Sequence, residues 1–128
     1  MAAVLEHVNL TVPDPDKTAA WMCDLFGWTV RWAGDAIYGG RSVHVGTDDQ
    51  YLAIYSGEPG RTVAPQHASY NQAGGLNHIG VVVDDLDAAE VKVKALGYEP
   101  VNHADYEPGR RFYFRDEHNV EYELVSYD

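Results

Sequence analysis

Cysteine is almost missing from this chain: its 128 residues include one, Cys23. A single thiol cannot close an intramolecular disulfide, which excludes the disulfide-framed secreted domains and points to a reducing cytoplasm. Positive charge is scarce as well. Nine Lys and Arg stand against 20 Asp and Glu, a net charge of -11, which disfavours nucleic acid and anionic membranes as partners. No apolar run approaches the roughly 18 residues of a membrane span, and the first residues lack the basic-then-apolar profile of a secretion signal. What the chain does have is 45% hydrophobic residues, enough for the core of one compact domain. Cys23 falls in a helical stretch and reads as packing rather than as a nucleophile.

The chain says nearly the same thing twice. Leu5-Glu6-His7-Val8-Asn9-Leu10-Thr11-Val12 returns as Leu76-Asn77-His78-Ile79-Gly80-Val81-Val82-Val83. Each copy runs through Asp-rich residues into a helical stretch ending in Gly, Leu25-Phe26-Gly27 first and Ala95-Leu96-Gly97 second. Gly39-Gly40-Arg41 is echoed by Gly109-Arg110-Arg111. The offset is 71 residues at the histidines and 70 at the glycines. A duplication of this size makes the fold a pair of similar halves.

Within each half the pattern is strand, helix, then three strands. Residues 7–12 alternate in period two, which means a strand with two unlike faces. Val8, Leu10 and Val12 point to a helix, while His7, Asn9 and Thr11 form a polar wall. In the second copy Ile79, Val81 and Val83 form the packed face and His78, Gly80 and Val82 the other. Helices are expected over about 16–26, with Ala20, Trp21, Leu25 and Phe26 apolar, and from Asp85 or Asp87 to Leu96, with Leu86, Val91 and Leu96 apolar; Gly27 and Gly97 stop them. Three strands follow each helix, near 28–33, 36–46 and 50–56, then near 98–103, 109–115 and 120–126, parted by turn signals. One half alone leaves a bare sheet face and open edges. The expectation is therefore an α+β fold of two βαβββ repeats, residues 4–56 and 76–126, whose curved sheets form a cup with the helices outside. The Gly- and Pro-rich stretch 57–75 joins them as a crossover or a cover.

Chemistry concentrates on the polar walls. The last strand, Val120-Glu121-Tyr122-Glu123-Leu124-Val125, turns Tyr122 and Leu124 outward and Glu121, Glu123 and Val125 inward. An inward carboxylate needs a positive partner, and two imidazoles holding a divalent cation supply one. His7, His78 and Glu123 together make a two-histidine, one-carboxylate set suited to Fe(II) and tolerated by Mn(II), Ni(II) or Zn(II). Parity places Asn9, Thr11, His44, Tyr51, Ala53, Tyr55, Phe112 and Phe114 around the pocket, turns Tyr113 to the helix layer, and suits a partly apolar small molecule. His67 and His118 read as solvated loop or turn residues. Arg31, Arg41, Arg110 and Arg111 balance nearby acids, the last pair being also the anion-binding candidates.

These motifs, with Phe112-Tyr113-Phe114-Arg115-Asp116 leading to Glu123, resemble the vicinal oxygen chelate superfamily over residues 4–126. That family includes glyoxalase I, bleomycin-resistance proteins, fosfomycin-resistance proteins, methylmalonyl-CoA epimerase and type I extradiol dioxygenases. The resemblance implies metal ligands at His7, His78 and Glu123, with the fourth family position at Ala53. Without a side-chain ligand there, glyoxalase I activity is disfavoured. The extradiol dioxygenases offer the nearer pattern, with His103 and Tyr113 as the proton-handling, catalytic pair. The gap between His103 and Phe112-Tyr113 is slightly longer than in that signature, and Glu117 and Asn119 replace its usual Pro and Gly. The resemblance thus implies a metal-dependent enzyme on a small oxygen-bearing substrate, working as a homodimer. A metal-free sequestering protein of the bleomycin-resistance type is the alternative, and a fosfomycin-type metal-dependent transferase the second.

Overall fold

The computed structural model describes residues 1–65, 68–106 and 108–127; His67 lies outside them. The chain divides into two compact units, Met1–Val63 and Ala64–Asp128, and the division falls inside the expected 57–75 connection. The first unit contains β1 (His7–Thr11), α1 (Pro15–Phe26), β2 (Thr29–Ala36), β3 (Gly40–Gly46) and β4 (Tyr51–Ser56). The second opens on a short 3-10 helix, Ser69–Asn71, and continues with β5 (Ile79–Val82), α2 (Leu86–Ala95), β6 (Val101–Tyr106), β7 (Gly109–Arg115) and β8 (Glu121–Ser126). Each unit is thus a βαβββ repeat, as the duplicated letters imply. The sheets have the orders β1-β4-β3-β2 and β5-β8-β7-β6. In each, the first strand runs parallel to the last and the other pairs are antiparallel. No helix among the described residues is long and apolar enough to cross a membrane.

The helices begin and end for local reasons. Asp14 and Asp85 are N-caps, their carboxylates accepting from the Lys17 and Ala88 amides, which satisfies donors that the first turn leaves unpaired. Pro15 stands in the first turn of α1, where a missing N–H costs nothing. Behind α1 the core gathers Leu10, Val12, Ala19, Trp21, Met22, Leu25, Val43, Val45, Leu52 and Ile54; behind α2 it gathers Val81, Leu86, Ala89, Val93, Phe112, Phe114, Tyr122 and Leu124. Three expected core residues fall outside: Ala20 is exposed, Val8 is 39% exposed and Val91 67%. In α2 the buried positions are 86, 89 and 93, and Val91 lies off that helical stripe. Cys23 is half-buried on α1, and burial raises its thiol pKa.

The repeats match in detail, one residue out of the register that Gly39 and Gly109 suggest. The counterpart of Gly109 is Gly40. Both face the last strand so closely that a Cβ would collide with the Ser56 or Ser126 carbonyl, so glycine is required at both. Arg41 and Arg110 are then equivalent, and each ties its strand to the first turn of its own helix, Arg41 on Asp16 at 2.8 and 2.9 Å and Arg110 on Asp87 at 3.1 Å. The strand expected at 98–103 starts at Val101 instead, because the Tyr98 amide still bonds back to the Val93 carbonyl at the end of α2.

Candidate functional site

Strand register decides which side chains share the polar walls, since residues directly opposed on neighbouring strands point to the same face. In the first unit His7 pairs with Tyr51, Asn9 with Ala53 and Thr11 with Tyr55; Ala53 in turn pairs with His44, which pairs with Trp32. These residues make one wall. Trp32, His44, Tyr51 and His7 form a continuous row of rings with successive centroids 5.0, 4.6 and 5.0 Å apart, and the Arg31 guanidinium lies 4.4 Å over Tyr51. Glu6 ties the end of the row, accepting from His7 Nδ1 at 2.8 Å and from the Tyr51 hydroxyl at 3.1 Å. Both bonds lower the Glu6 pKa. Burial, aided by His7 and Arg31, lowers that of His44, so His44 is a neutral wall residue. The Tyr55 hydroxyl donates to the Ile37 carbonyl.

The second unit uses the same face differently. Gly80 pairs with Glu123, Glu123 with Tyr113, Arg111 with Val125, and Arg115 with Glu121. Glu123 receives two cationic or polar partners, His78 Nε2 at 3.0 Å and Arg111 Nη1 at 2.9 Å. Tyr113 also hydrogen-bonds Glu123; burial, then the Glu123 charge, raises the tyrosine pKa and keeps its proton in place. Glu121 is buried, paired with Arg115 at 3.1 Å, and accepts from Tyr70 of the 3-10 helix, whose pKa this contact raises. A side chain added at Gly80 would meet nothing within 4 Å, so the space beside the Glu123 carboxylate is open.

Each histidine is oriented by the residue before it. Glu6 accepts from His7 Nδ1, and Asn77 Oδ1 lies 2.6 Å from His78 Nδ1. An oxygen acceptor at Nδ1 favours the ring form that carries its proton there and leaves the Nε2 lone pair for a cation, the usual arrangement behind a metal ligand. For His78 that lone pair faces Glu123 Oε1. Two acceptors 3.0 Å apart are stable only with a cation, a proton or a metal, between or beside them. The donor chemistry fits a divalent ion, although among the described residues no group of three or more His, Cys, Asp or Glu is arranged to hold one.

The family model of the Glyoxalase/Bleomycin resistance protein/Dioxygenase superfamily matches residues 4–124. The chain belongs to this superfamily. Its fold is similar to that of a glyoxylase/bleomycin resistance protein/dioxygenase domain from Frankia sp. EAN1pec, at TM-score 0.80 and 20% identity over 100% of both chains. It is also similar to the fosfomycin resistance protein FosX from Mesorhizobium loti, at TM-score 0.71 and 26% identity, covering 98% of this chain and 92% of that one. FosX from Listeria monocytogenes, crystallised with Mn(II) and sulfate, matches at TM-score 0.73 and 24% identity over 98% and 93%. No curated protein sequence matches the chain.

Against the superfamily pattern, Ala53 stands where Glu123 stands in the other repeat: each is the partner of the second residue after its histidine, Asn9 or Gly80. Three expectations need correction. Phe112 and Phe114 do not line the polar wall; they pair with Leu124 and Tyr122 and are fully buried on the helix side. Tyr113, assigned by parity to the helix layer, shares the wall with Glu123. His103 lies on the helix side, its Nε2 2.6 Å from Glu90 of α2 and its ring 5.7 Å from Phe112, so His103 and Tyr113 are not a pair. The cause is a register shift in β6 between Val101 and Ala104, where Asn102 takes a left-handed φ of 54°; a bulge of this kind reverses which face the following residues occupy. Sequence reasoning also passed over Glu6 and Asn77. The signal was available, because each directly precedes a repeated histidine.

Proposed function

We propose that this protein is a divalent-metal-dependent enzyme that chelates neighbouring oxygens of a small substrate, with His7, His78 and Glu123 as the ligands. The observation that carries the reading is the His78 Nε2–Glu123 contact at 3.0 Å, made with Nδ1 already engaged by Asn77. Fe(II) and Mn(II) both suit two imidazoles and one carboxylate, and Mn(II) is the ion named for the Listeria FosX. When bound, the metal supplies Lewis-acid polarisation of a substrate oxygen. The chain's own residues do the rest. Asn77 and Glu6 hold the rings, and Arg111 and the Tyr113 hydroxyl both fix the Glu123 carboxylate. Ring cleavage of the dioxygenase kind loses support, because His103 is engaged with Glu90 on the helix side. Addition or isomerisation at a chelated oxygen suits a wall that carries arginine and tyrosine beside the carboxylate. The absence of a side-chain ligand at Ala53 argues against glyoxalase I chemistry.

The working unit in this reading is a homodimer, with His7 contributed by the same chain as His78 or by a second copy. Metal analysis of untagged protein loaded with Mn(II) or Fe(II) tests the ligand set. The expected result is one ion per site in wild type and affinity lower by about 100-fold or more in His7→Ala and Glu123→Gln. Mixing these two variants restores some metal binding if the site spans two chains. The ring row Trp32-His44-Tyr51-His7 favours one other reading, a metal-free binder of flat molecules. Failure of wild type to take up stoichiometric metal, with ligand binding intact in His7→Ala, would decide for that reading.

A further inference from the structure

Arg111 is the odd arginine in this protein. Arg41, Arg110 and Arg115 each hold a carboxylate, on Asp16, Asp87 and Glu121. Arg111 gives only Nη1 to Glu123, while its Nε and Nη2 are buried and have no hydrogen-bond partner among the described residues. These two nitrogens form the side-on fork of the guanidinium, with parallel N–H bonds spaced for two oxygens of one acid group. Arg41 shows what that edge takes in this protein: its own Nε and Nη2 grip both oxygens of the Asp16 carboxylate. No acceptor among the described residues meets the fork of Arg111. Its neighbours across the two adjoining strands are Ala104 and Val125, which have no side-chain acceptor. Glu123 pins the other end, so the fork keeps its direction. In the first repeat the equivalent position, opposite Tyr55, is Ser42, so the arginine is a feature of one wall alone.

We infer that the Nε/Nη2 edge of Arg111 is an oxyanion subsite, and that the substrate carries a carboxylate or phosphonate-like group beside the oxygens chelated at Glu123. An orphaned charged donor under cover is costly unless something completes it, and an acid group completes both nitrogens at once. The Tyr106 ring lies 5.7 Å from the Arg111 Cζ and is 65% exposed on the edge strand β6, so turning it away to admit a ligand would uncover little that is buried. Charge balance agrees. Arg111 and Glu123 neutralise one another, so a dication at His78 and Glu123 leaves a positive surplus that an anionic substrate matches. The inference rests on the metal-enzyme reading for the rest of the substrate, but the fork itself needs no metal.

The test uses the full chain, stripped of metal by chelator, with methylphosphonate and acetate as probes. Binding is followed by phosphorus NMR and calorimetry at low salt. Saturable binding of at least one probe is expected, and which one binds tighter assigns the acid group. Affinity drops by about tenfold or more in Arg111→Lys, which keeps the charge and loses the fork. Tyr106→Ala keeps or strengthens binding. The subsite is overturned if neither probe saturates on wild type, a result that needs no variant to fold, or if Arg111→Lys binds as wild type does. Mn(II) uptake is measured separately. Metal binding without probe binding sinks the subsite and spares the metal reading; probe binding without metal uptake does the reverse.

Discussion

The two repeats share a backbone plan down to the capping aspartates, the close-packed glycines and the arginine that ties strand to helix, yet their polar walls differ in kind. The first is a row of rings, Trp32-His44-Tyr51-His7, tied by one carboxylate at Glu6. The second is a charge network, His78, Glu123, Arg111, Glu121 and Arg115 with Tyr113 and Tyr70 bonded into it. At equivalent places the first has Ala53, Ser42 and His44 where the second has Glu123, Arg111 and Tyr113. Both buried faces pack against a helix, the second with larger aromatic side chains. The open faces carry no such packing and differ in kind. One retained histidine per repeat, each with Nδ1 held by its preceding residue, is what the walls still share.

The comparison breaks most visibly in the cores. Phe112 of β7 occupies the place that Val43 holds in β3, opposite Leu124 and Ile54 respectively. Phe112→Ala is expected to cost about 3–5 kcal/mol, against roughly 2 kcal/mol for Val43→Ala, measured by urea unfolding. Equal losses would mean that the larger side chain at Phe112 adds nothing to the second core beyond what Val43 gives the first. Making the second wall resemble the first by Glu123→Ala removes the carboxylate partner of a largely buried guanidinium. A loss of about 2–3 kcal/mol is expected, most of it recovered in the double variant Glu123→Leu with Arg111→Met, because the cost lies in the stranded charge rather than in the pair.

Tyr122 sharpens the comparison at high pH. Its hydroxyl donates to Asp116 at 3.1 Å, and burial holds its pKa well above the ordinary tyrosine value; β4 carries Leu52 at the matching place. The folded chain keeps this proton while the unfolded chain releases it above about pH 10. The Tyr122 contribution is therefore complete below that pH and declines as pH rises further. Tyr122→Phe should lose about 1 kcal/mol at pH 7 and show a flatter alkaline decline; melting curves from pH 7 to 11 would reveal an unchanged slope if this is mistaken. The smallest effects belong to the matched ties. Arg41→Ala and Arg110→Ala should each lower Tm by roughly 2 °C or less, with Arg41 the larger because its bond is bidentate; a reversed order would count against the equivalence of the two pairs.

How far these features were readable varies by residue. The run at 7–12 reported its faces because polar and apolar letters alternate in it, and the run at 78–83, apolar from Val81 on, was readable through its likeness to the first. Glu121 and Glu123 were readable as inward for the first of these reasons. Phe112-Tyr113-Phe114 was not, since an aromatic letter suits either face and only pairing with β8 decides. His103 was named from the family resemblance alone, and the left-handed residue at Asn102 that sends it to the helix side leaves no mark in composition. The one-residue slip at Gly40 was equally hidden: two adjacent glycines look alike in letters, and only the Ser56 carbonyl distinguishes them.

The amino-acid order alone determined the duplication, the element sequence, the helix caps and the histidine of each repeat, because these depend on neighbours a few positions apart. Tertiary structure decided what required strands far apart in sequence to be laid side by side. It set Ala53 opposite Asn9, turned Tyr113 toward Glu123, sent His103 to Glu90, and left the outer edge of Arg111 between Ala104 and Val125. Cross-strand register is a property of the whole sheet, and a single bulge changes it without leaving a mark in any short window of letters.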